Sequence, residues 1–512
     1  MGMNDRSELI CIFKKIQNKL LTAAMLVCLM VFAACWFLSV RWYLLTAAAA
    51  AAMLCLFRTL LHRNEHRLKN IHCTLIFAGC CLLLLAAQIY YVSNITYVPT
   101  MSDPVLYGDL AKQFVRTGSF EGLRKSCYIY ASRYPNTWGS TFLLIGWYSV
   151  WYRLTGDITV TAGHTLDIIA VQTAVIFTYL TARNVFRSRT DALLCGVSAA
   201  FCPLYLLYTP IFHSDILSVA FTAPVMYLLT KAMKKNGSGR YARIAGAAVL
   251  TGLGNTLKGT LVILAIAASV IFLLRFKPKL SLPAAAMLIG GVVLASAGMM
   301  QLGLATGISS RESMDEYRFP TIHWIMMGTN KKGGGYYRPD SIYTRNAGRY
   351  EEKKQADTER LHRRFRHMHG PAGVMKMVKF KIYRIWNCSD RRYRRYMRST
   401  YAADGIANML IHSEYPRAFC HLDHNCRMFC IFAAMIYACR RRAAPAVKFG
   451  GMALAGLMLF LVLWEANPRY NISFMPLMQV LTIAGVRYIC NVVKIHWDKI
   501  GGAARHSICA AE

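Results

Sequence analysis

Acidic side chains are scarce in this 512-residue chain: 25 Asp and Glu stand against 60 Lys and Arg, a formal net charge of +35. Zinc-type spacing is also missing. No CxxC pair or His/Cys cluster with zinc spacing occurs, so the 17 cysteines do not read as a metal framework. The glycine-rich piece Met327–Tyr336 lacks the strand–loop–helix setting and GK[ST] ending of a nucleotide-binding P-loop, and reads as a flexible turn. No internal repeat of fixed period is found, and no cleavable leader is expected, because the first apolar stretch runs from about 20 to 40 without a cleavage site. Polar linkers that would divide a soluble chain of this length into domains are lacking too.

Apolar sequence is abundant. Hydrophobic residues make up 55% of the chain, and mean hydropathy is +0.32. They fall in blocks long enough, at about 17–22 residues, to cross a hydrocarbon core about 30 Å thick. Uninterrupted apolar blocks in lipid mean helices, which satisfy their own backbone groups. The basic residues flank these blocks, where the positive-inside rule and anionic headgroups account for them; nucleic acid is not expected as a partner, and membrane lipid is. Cysteines inside the blocks, such as Cys80 and Cys81, read as small hydrophobes. Cys127, Cys388 and Cys420 fall in expected external loops, where one disulfide is open to them.

The expected fold is therefore an all-α polytopic membrane protein, a bundle of about twelve transmembrane helices with external loops and interfacial helices. The spans are read at about 20–40, 43–60, 72–92, 163–182, 191–211, 215–231, 242–256, 259–275, 281–303, 427–440, 448–464 and 472–490. The Trp/Tyr-rich stretch 137–154 decides the parity. If it spans, Arg183, Arg187 and Arg189 fall outside; if it lies along the interface, they are cytoplasmic with Arg58, Arg63, Arg67, Lys69, Lys231, Lys234, Lys235, Arg275 and the run Arg440–Arg442. The interfacial reading is adopted. It divides the chain into 1–71, with two extra N-terminal helices, a core of 72–304 with a first external loop at 93–162, an external loop region of 305–425, and a C-terminal part of 426–512 ending in a basic tail. Within the long loop, segment 372–396 alternates Val374, Met377, Val378, Tyr383 and Trp386 with Lys376, Lys379, Lys381 and Arg384, and reads as an amphipathic helix on anionic lipid. The run Arg391, Arg392, Arg394 and Arg395 reads as headgroup-binding or as a grip on lipid phosphate.

This topology brings the polar outliers to one side. Asp103 and Asp109 lie in the first external loop, Asp215 follows His213 at an outer helix end, Lys258 sits in the turn Asn255–Gly259, and Glu465 and Arg469 mark another outer end. Ionisable groups near membrane depth are costly and point to function. A carboxylate there can take a proton from a hydroxyl or amine nucleophile, and a Lys or Arg can neutralise a departing phosphate. The set suits group transfer from a lipid phosphate or pyrophosphate. Each residue also has a purely structural reading. Asp103 can start a turn, Asp109 a helix, and Asp215 can cap the helix that follows it. Lys258 can snorkel, Arg469 can anchor a headgroup, and His213 and His323, in no HxxxH or HExxH spacing, can be plain polar residues. Asn94-Ile-Thr and Asn471-Ile-Ser match the glycosylation sequon.

Over roughly residues 72–490 the chain resembles the GT-C superfamily of polyprenyl-phosphate-sugar-dependent glycosyltransferases, near the protein O-mannosyltransferase and aminoarabinose transferase branch. Five places carry the likeness: Ser102-Asp103-Pro104 with Tyr107 and Ala111, Tyr134–Gly139, His213-Ser214-Asp215, Leu257-Lys258-Gly259, and Pro320–Gly335 with its His323-Trp324. The resemblance implies Asp103 as base, a supporting or acceptor-positioning role for Asp215, and donor-phosphate or substrate contacts for Lys258, Arg469, Asp109, Tyr134 and His323. It implies a polyprenyl-phosphate sugar as donor, a glycan, lipid or protein acceptor, and a multi-pass location in the cell membrane. Some relatives use a divalent cation, but no ligand set in this sequence demands one. The chain departs from the pattern in its two extra N-terminal helices, and in having Asp103-Pro104 where the mannosyltransferases have an Asp-Glu pair. Two rival readings are a transporter or lipid flippase, with charges in mid-helix and paired halves, and an inactive GT-C-like membrane protein.

Overall fold

The computed structural model describes residues 3–39, 44–99, 102–234, 239–330, 333–368 and 370–509; Lys235, Lys331 and Lys332 lie outside these. The architecture is all-α. Among the described residues the strands are Ile95–Thr96 and Tyr401–Ala402, two residues each, paired antiparallel so that Ile95 faces Ala402. That short ladder ties the segment after helix Asn70–Ser93 to the long stretch that follows helix Pro278–Ala305.

Among the described residues nine helices are long and apolar enough to cross a membrane: Lys14–Leu38, Leu44–Arg63, Asn70–Ser93, Val160–Val185, Arg189–Leu207, Ser214–Lys234, Pro278–Ala305, Pro445–Leu463 and Pro468–His496. They correspond to nine of the twelve expected spans. The other three are also helical but miss the length or the apolarity: Arg240–Leu257, Gly259–Arg275 and Tyr415–Ala438. The last begins well before residue 427, because Asp423, His424 and Arg427 pair within the protein and hide the first turns from a hydropathy reading. The expected span 191–211 is broken: one helix ends at Ala200 and Pro203, which has no N–H to continue it, starts the next piece. Leu45, Met53, Leu82 and Leu83 point outward from the N-terminal helices, as a lipid-facing surface requires. Helices Arg240–Leu257 and Pro278–Ala305 meet backbone to backbone, since a Cβ on Gly252 would lie 2.4 Å from the Gly291 carbonyl oxygen.

The two ends of the bundle are distinct. At one, Glu65 accepts from Ser188 Oγ (2.9 Å) and the Arg189 N–H (2.8 Å), and Arg189 donates to the Leu68 carbonyl. Segments 58–69 and 183–189 thus share a face, as the interfacial reading of 137–154 requires. Gln17 reaches the Leu273 carbonyl and Arg275 reaches Asn18, adding the N-terminal segment to that face. The stretch 137–154 forms helix Trp138–Thr155, which is not among the membrane-crossing set.

The opposite end is layered with short helices of the long loop, Arg311–Tyr317, Thr321–Gly328, Arg338–Arg345, Tyr350–Arg366 and Pro371–Trp386. Three expectations change here. Helix Pro371–Trp386 exposes Met375, Phe380 and Tyr383, but Lys381 is fully buried and donates to the Trp464 carbonyl at 2.6 Å, so it does not face lipid. Arg391 is also fully buried, bonded to the Cys388 carbonyl (2.6 Å) and beside His424 Nδ1 (3.2 Å), so it holds the loop and not a headgroup. Cys127, Cys388 and Cys420 are free thiols. Asn471, in the second sequon, is fully buried and thus closed to modification.

Candidate active site

The site grows from the break before helix Ser214–Leu217. His213 is the cap residue there, so Asp215 falls inside the first turn and its carboxylate does not close the helix. That carboxylate is fully buried yet surrounded by positive groups. Lys258 Nζ lies 2.5 Å from Oδ1, Arg469 Nε 3.1 Å from Oδ2, and His213 Nδ1 2.8 Å from Oδ2. Lys258 is delivered by a tight turn in which Asn255 Oδ1 accepts the Val262 N–H (3.2 Å). Its ammonium also stands 3.8 Å over the Tyr470 ring, a cation–π contact that a snorkelling lysine would not make.

Arg469 arrives from the turn Pro468–Phe474, capped by Asn467. Its guanidinium bridges two acids: besides Asp215, Nη2 lies 3.7 Å from Asp103 Oδ2. The Tyr396 and Tyr470 rings flank it at 6.0 and 5.9 Å. Asp103 sits in the first turn of helix Ser102–Thr117, and its side chain is 41% exposed, against 0% for Asp215. It is the open carboxylate of the group. Glu465 closes the site from beneath; burial raises its pKa, with Arg469 opposing, and Oε2 lies 3.4 Å from the Tyr470 hydroxyl. One turn beyond Asp103, the Tyr107 phenol is held well above its usual value by burial, with Tyr130, Asp103 and Asp167 adding and Arg469 opposing.

Six of the residues singled out in the sequence therefore converge: Asp103, His213, Asp215, Lys258, Glu465 and Arg469. The other three stand apart. Asp109 lies mid-helix and pairs with Arg124 at an exposed position, 2.5 Å away. Tyr134 packs against Tyr130, Phe319 and Trp324 at ring distances of 5.1, 5.9 and 6.1 Å; burial pushes its phenol up to about 12, with Arg133 opposing and Asp103 adding. His323 is buried in a separate network, its Nδ1 2.7 Å from Thr344 Oγ1, which donates to Asp357 Oδ1 at 2.6 Å. That network joins three helices of the outer layer.

Other side chains belong to the site region without being singled out by spacing. Tyr396 and Tyr470 have no local signal, because their partners lie far off in the chain. Asp167 did carry a signal: it is a carboxylate within the apolar run 163–182. It is fully buried with neither oxygen hydrogen-bonded among the described residues.

The residues present do not fit a divalent cation. Both Asp215 oxygens face cationic side chains, and among the described residues no group of three or more His, Cys, Asp or Glu converges as a metal site would need.

Residues 144–299 match the family described as Dolichyl-phosphate-mannose-protein mannosyltransferase. The matched segment contains Asp215 and Lys258 but neither Asp103 nor Arg469, and the match bears out the resemblance to the GT-C superfamily. No curated protein matches. Among solved structures, the archaeal oligosaccharyltransferase AglB from Archaeoglobus fulgidus, in complex with an inhibitory peptide and a dolichol-phosphate, is similar at 12% identity and a TM-score of 0.39. The likeness covers 83% of this chain and 52% of that one, so this chain spans about half the length of that protein.

Proposed function

We propose that this multi-pass membrane protein transfers a sugar from a polyprenyl-phosphate donor to an acceptor hydroxyl at the outer face of the cell membrane. The acceptor oxygen attacks the anomeric carbon while the bond from that carbon to the phosphate oxygen breaks. Asp103 takes the acceptor proton, for which its half-open carboxylate is suited. The polyprenyl phosphate leaves with the electron pair, and Lys258 and Arg469 stabilise its charge. Asp215 holds those two cations in place. The observation that carries the reading is the Arg469 bridge, because it joins a half-exposed carboxylate, a buried carboxylate and a guanidinium from distant parts of the chain.

The test is donor turnover. Purified protein in liposomes is given radiolabelled polyprenyl-phosphate sugars, alongside Asp103→Asn. Sugar release or transfer is expected from the wild type, with a loss of about 10²–10⁴-fold in the variant. Full activity in Asp103→Asn would move the base elsewhere.

A transporter reading draws on polar groups deeper in the bundle: Asp167, and Arg427, which pairs with Asp423 at 2.6 Å and contacts Gln479. It predicts movement of an intact lipid or solute across the liposome without release of sugar.

A further inference from the structure

A cavity of about 520 Å³ opens in the outer layer, away from the Asp215 cluster. Its walls come from two loops distant in sequence. Arg133 closes the helix of the first outer loop; Glu316, Arg345, Arg349, Glu352 and Lys353 come from the long one. Among the described residues Arg349 alone of this set forms an ion pair, while Glu352 and Lys353 bond to backbone atoms. Arg349 lies 3.5 Å from Asp315, Glu352 accepts the Arg349 N–H, and Lys353 donates to the Glu316 carbonyl. Arg133, Arg345 and Lys353 form no ion pair among the described residues, so with Arg349 the wall carries four basic side chains against the two acidic ones, Glu316 and Glu352. Arg133 Nε is buried without a hydrogen-bond partner. Positive charge is crowded here. Burial lowers the Arg133 pKa, with Tyr134 opposing and Arg345 adding; burial lowers that of Lys353, with Arg133 adding.

A rank of aromatic rings leads from this cavity toward the cluster. The Arg133 guanidinium stands 5.3 Å over Phe319, Phe319 meets Tyr134 at 5.9 Å, Tyr134 meets Trp324 at 6.1 Å, and Trp324 stacks on Trp464 at 6.3 Å. Glu465 follows Trp464 directly, and the Asp103 charge acts on the Tyr134 phenol. Flat apolar faces beside polar groups suit the C–H faces of sugar rings, which the hydroxyl-lined edges then orient.

We infer that this cavity admits an acidic glycan acceptor, its carboxylate or phosphate held by Arg133 and Arg345 and its sugar rings laid along Tyr134, Trp324 and Trp464 toward Asp103. The inference rests on the glycosyl-transfer reading for the meaning of "acceptor", but its test needs no turnover. Binding to the purified full chain in detergent is measured by calorimetry with tri-galacturonate, with maltotriose as a neutral trisaccharide of the same size, and with tri-aspartate. Tri-galacturonate is expected to bind about tenfold tighter than maltotriose at low salt, and to lose that advantage as salt rises. Arg345→Ala, at an exposed position, and Arg133→Ala are each expected to weaken tri-galacturonate about tenfold and to leave maltotriose unchanged. Equal affinity for the two sugars, or arginine variants that bind tri-galacturonate as the wild type does, would overturn the proposal. Tighter binding of tri-aspartate than of tri-galacturonate would replace the glycan with an acidic peptide. Because no donor is present, failure here is separate from failure of Asp103→Asn to abolish transfer.

Discussion

Two buried aspartates, at opposite ends of the bundle, are held by arginine in different ways. At one end Asp191 receives Arg58 in a fork, Nε to Oδ1 at 2.6 Å and Nη2 to Oδ2 at 3.1 Å, and its own N–H is capped by Ser188. One acid meets mainly one base, with Arg487 only at 4.0 Å, and the geometry is saturated. At the other end Asp215 is approached by Lys258, Arg469 and His213, while Arg469 is shared with Asp103. No group there has a private partner. A pair that fits itself completely stabilises a fold; a set whose cations are shared among acids from separate segments keeps capacity for a substrate. Burial alone does not distinguish them, since both aspartates are fully buried.

The contrast breaks most readily at the acids. Asp215→Ala and Asp191→Ala each strand buried cations and are each expected to cost about 3–5 kcal/mol, measured as unfolding in detergent. Only Asp215→Ala is expected to abolish sugar transfer per folded molecule; comparable loss in Asp191→Ala would erase the distinction. Replacing the Arg58–Asp191 pair whole, Arg58→Met with Asp191→Leu, is expected to restore stability to within about 1 kcal/mol of wild type, with transfer retained.

A smaller effect is expected at Gly334, whose φ of +68° suits glycine and where a Cβ would lie 2.5 Å from the Gly328 carbonyl oxygen. Gly334→Ala should cost about 1–3 kcal/mol and disturb the backbone bond from the Ala466 N–H to the Gly334 carbonyl, which ties the loop to Glu465. The smallest effect is a slope with pH. Burial lowers the Lys381 pKa to about 7 from 10.5, with Glu465 opposing. Between those values the unfolded chain holds a proton that the folded chain has released, so stability rises with pH from about 7 to 10. Thermal unfolding should show that rise in the wild type, and Lys381→Met should flatten it.

The helices were legible because apolar runs declare themselves, and the misread start at 427 has a plain cause. Residues 415–426 look too polar for a membrane helix, yet His424 is satisfied by the Trp386 carbonyl at 2.7 Å and Asp423 by Arg427. Five site residues, Asp103, Asp215, Lys258, Glu465 and Arg469, were legible as charges at helix ends. The sequence could not show which of them share partners. Asp109 and Asp103 look equivalent in Ser102–Asp109, but they sit on different faces of one helix, and only Asp103 reaches Arg469. Lys381 was misread because its amphipathic pattern is the same whether lipid or the Trp464 carbonyl lies opposite. Tyr470 and Tyr396 depend wholly on tertiary approach.

The connectivity of the cluster has a consequence for biogenesis. Asp103, Asp215 and Lys258 are synthesised more than two hundred residues ahead of Arg469, and Arg469 belongs to the last membrane helix. While the ribosome is still working, Asp215 and Lys258 can neutralise one another, but Asp103 has no arginine to meet. The four-residue cluster can close only after helix Pro468–His496 has joined the bundle, so the pairing of Asp103 with Arg469 is a late event in the folding of the chain.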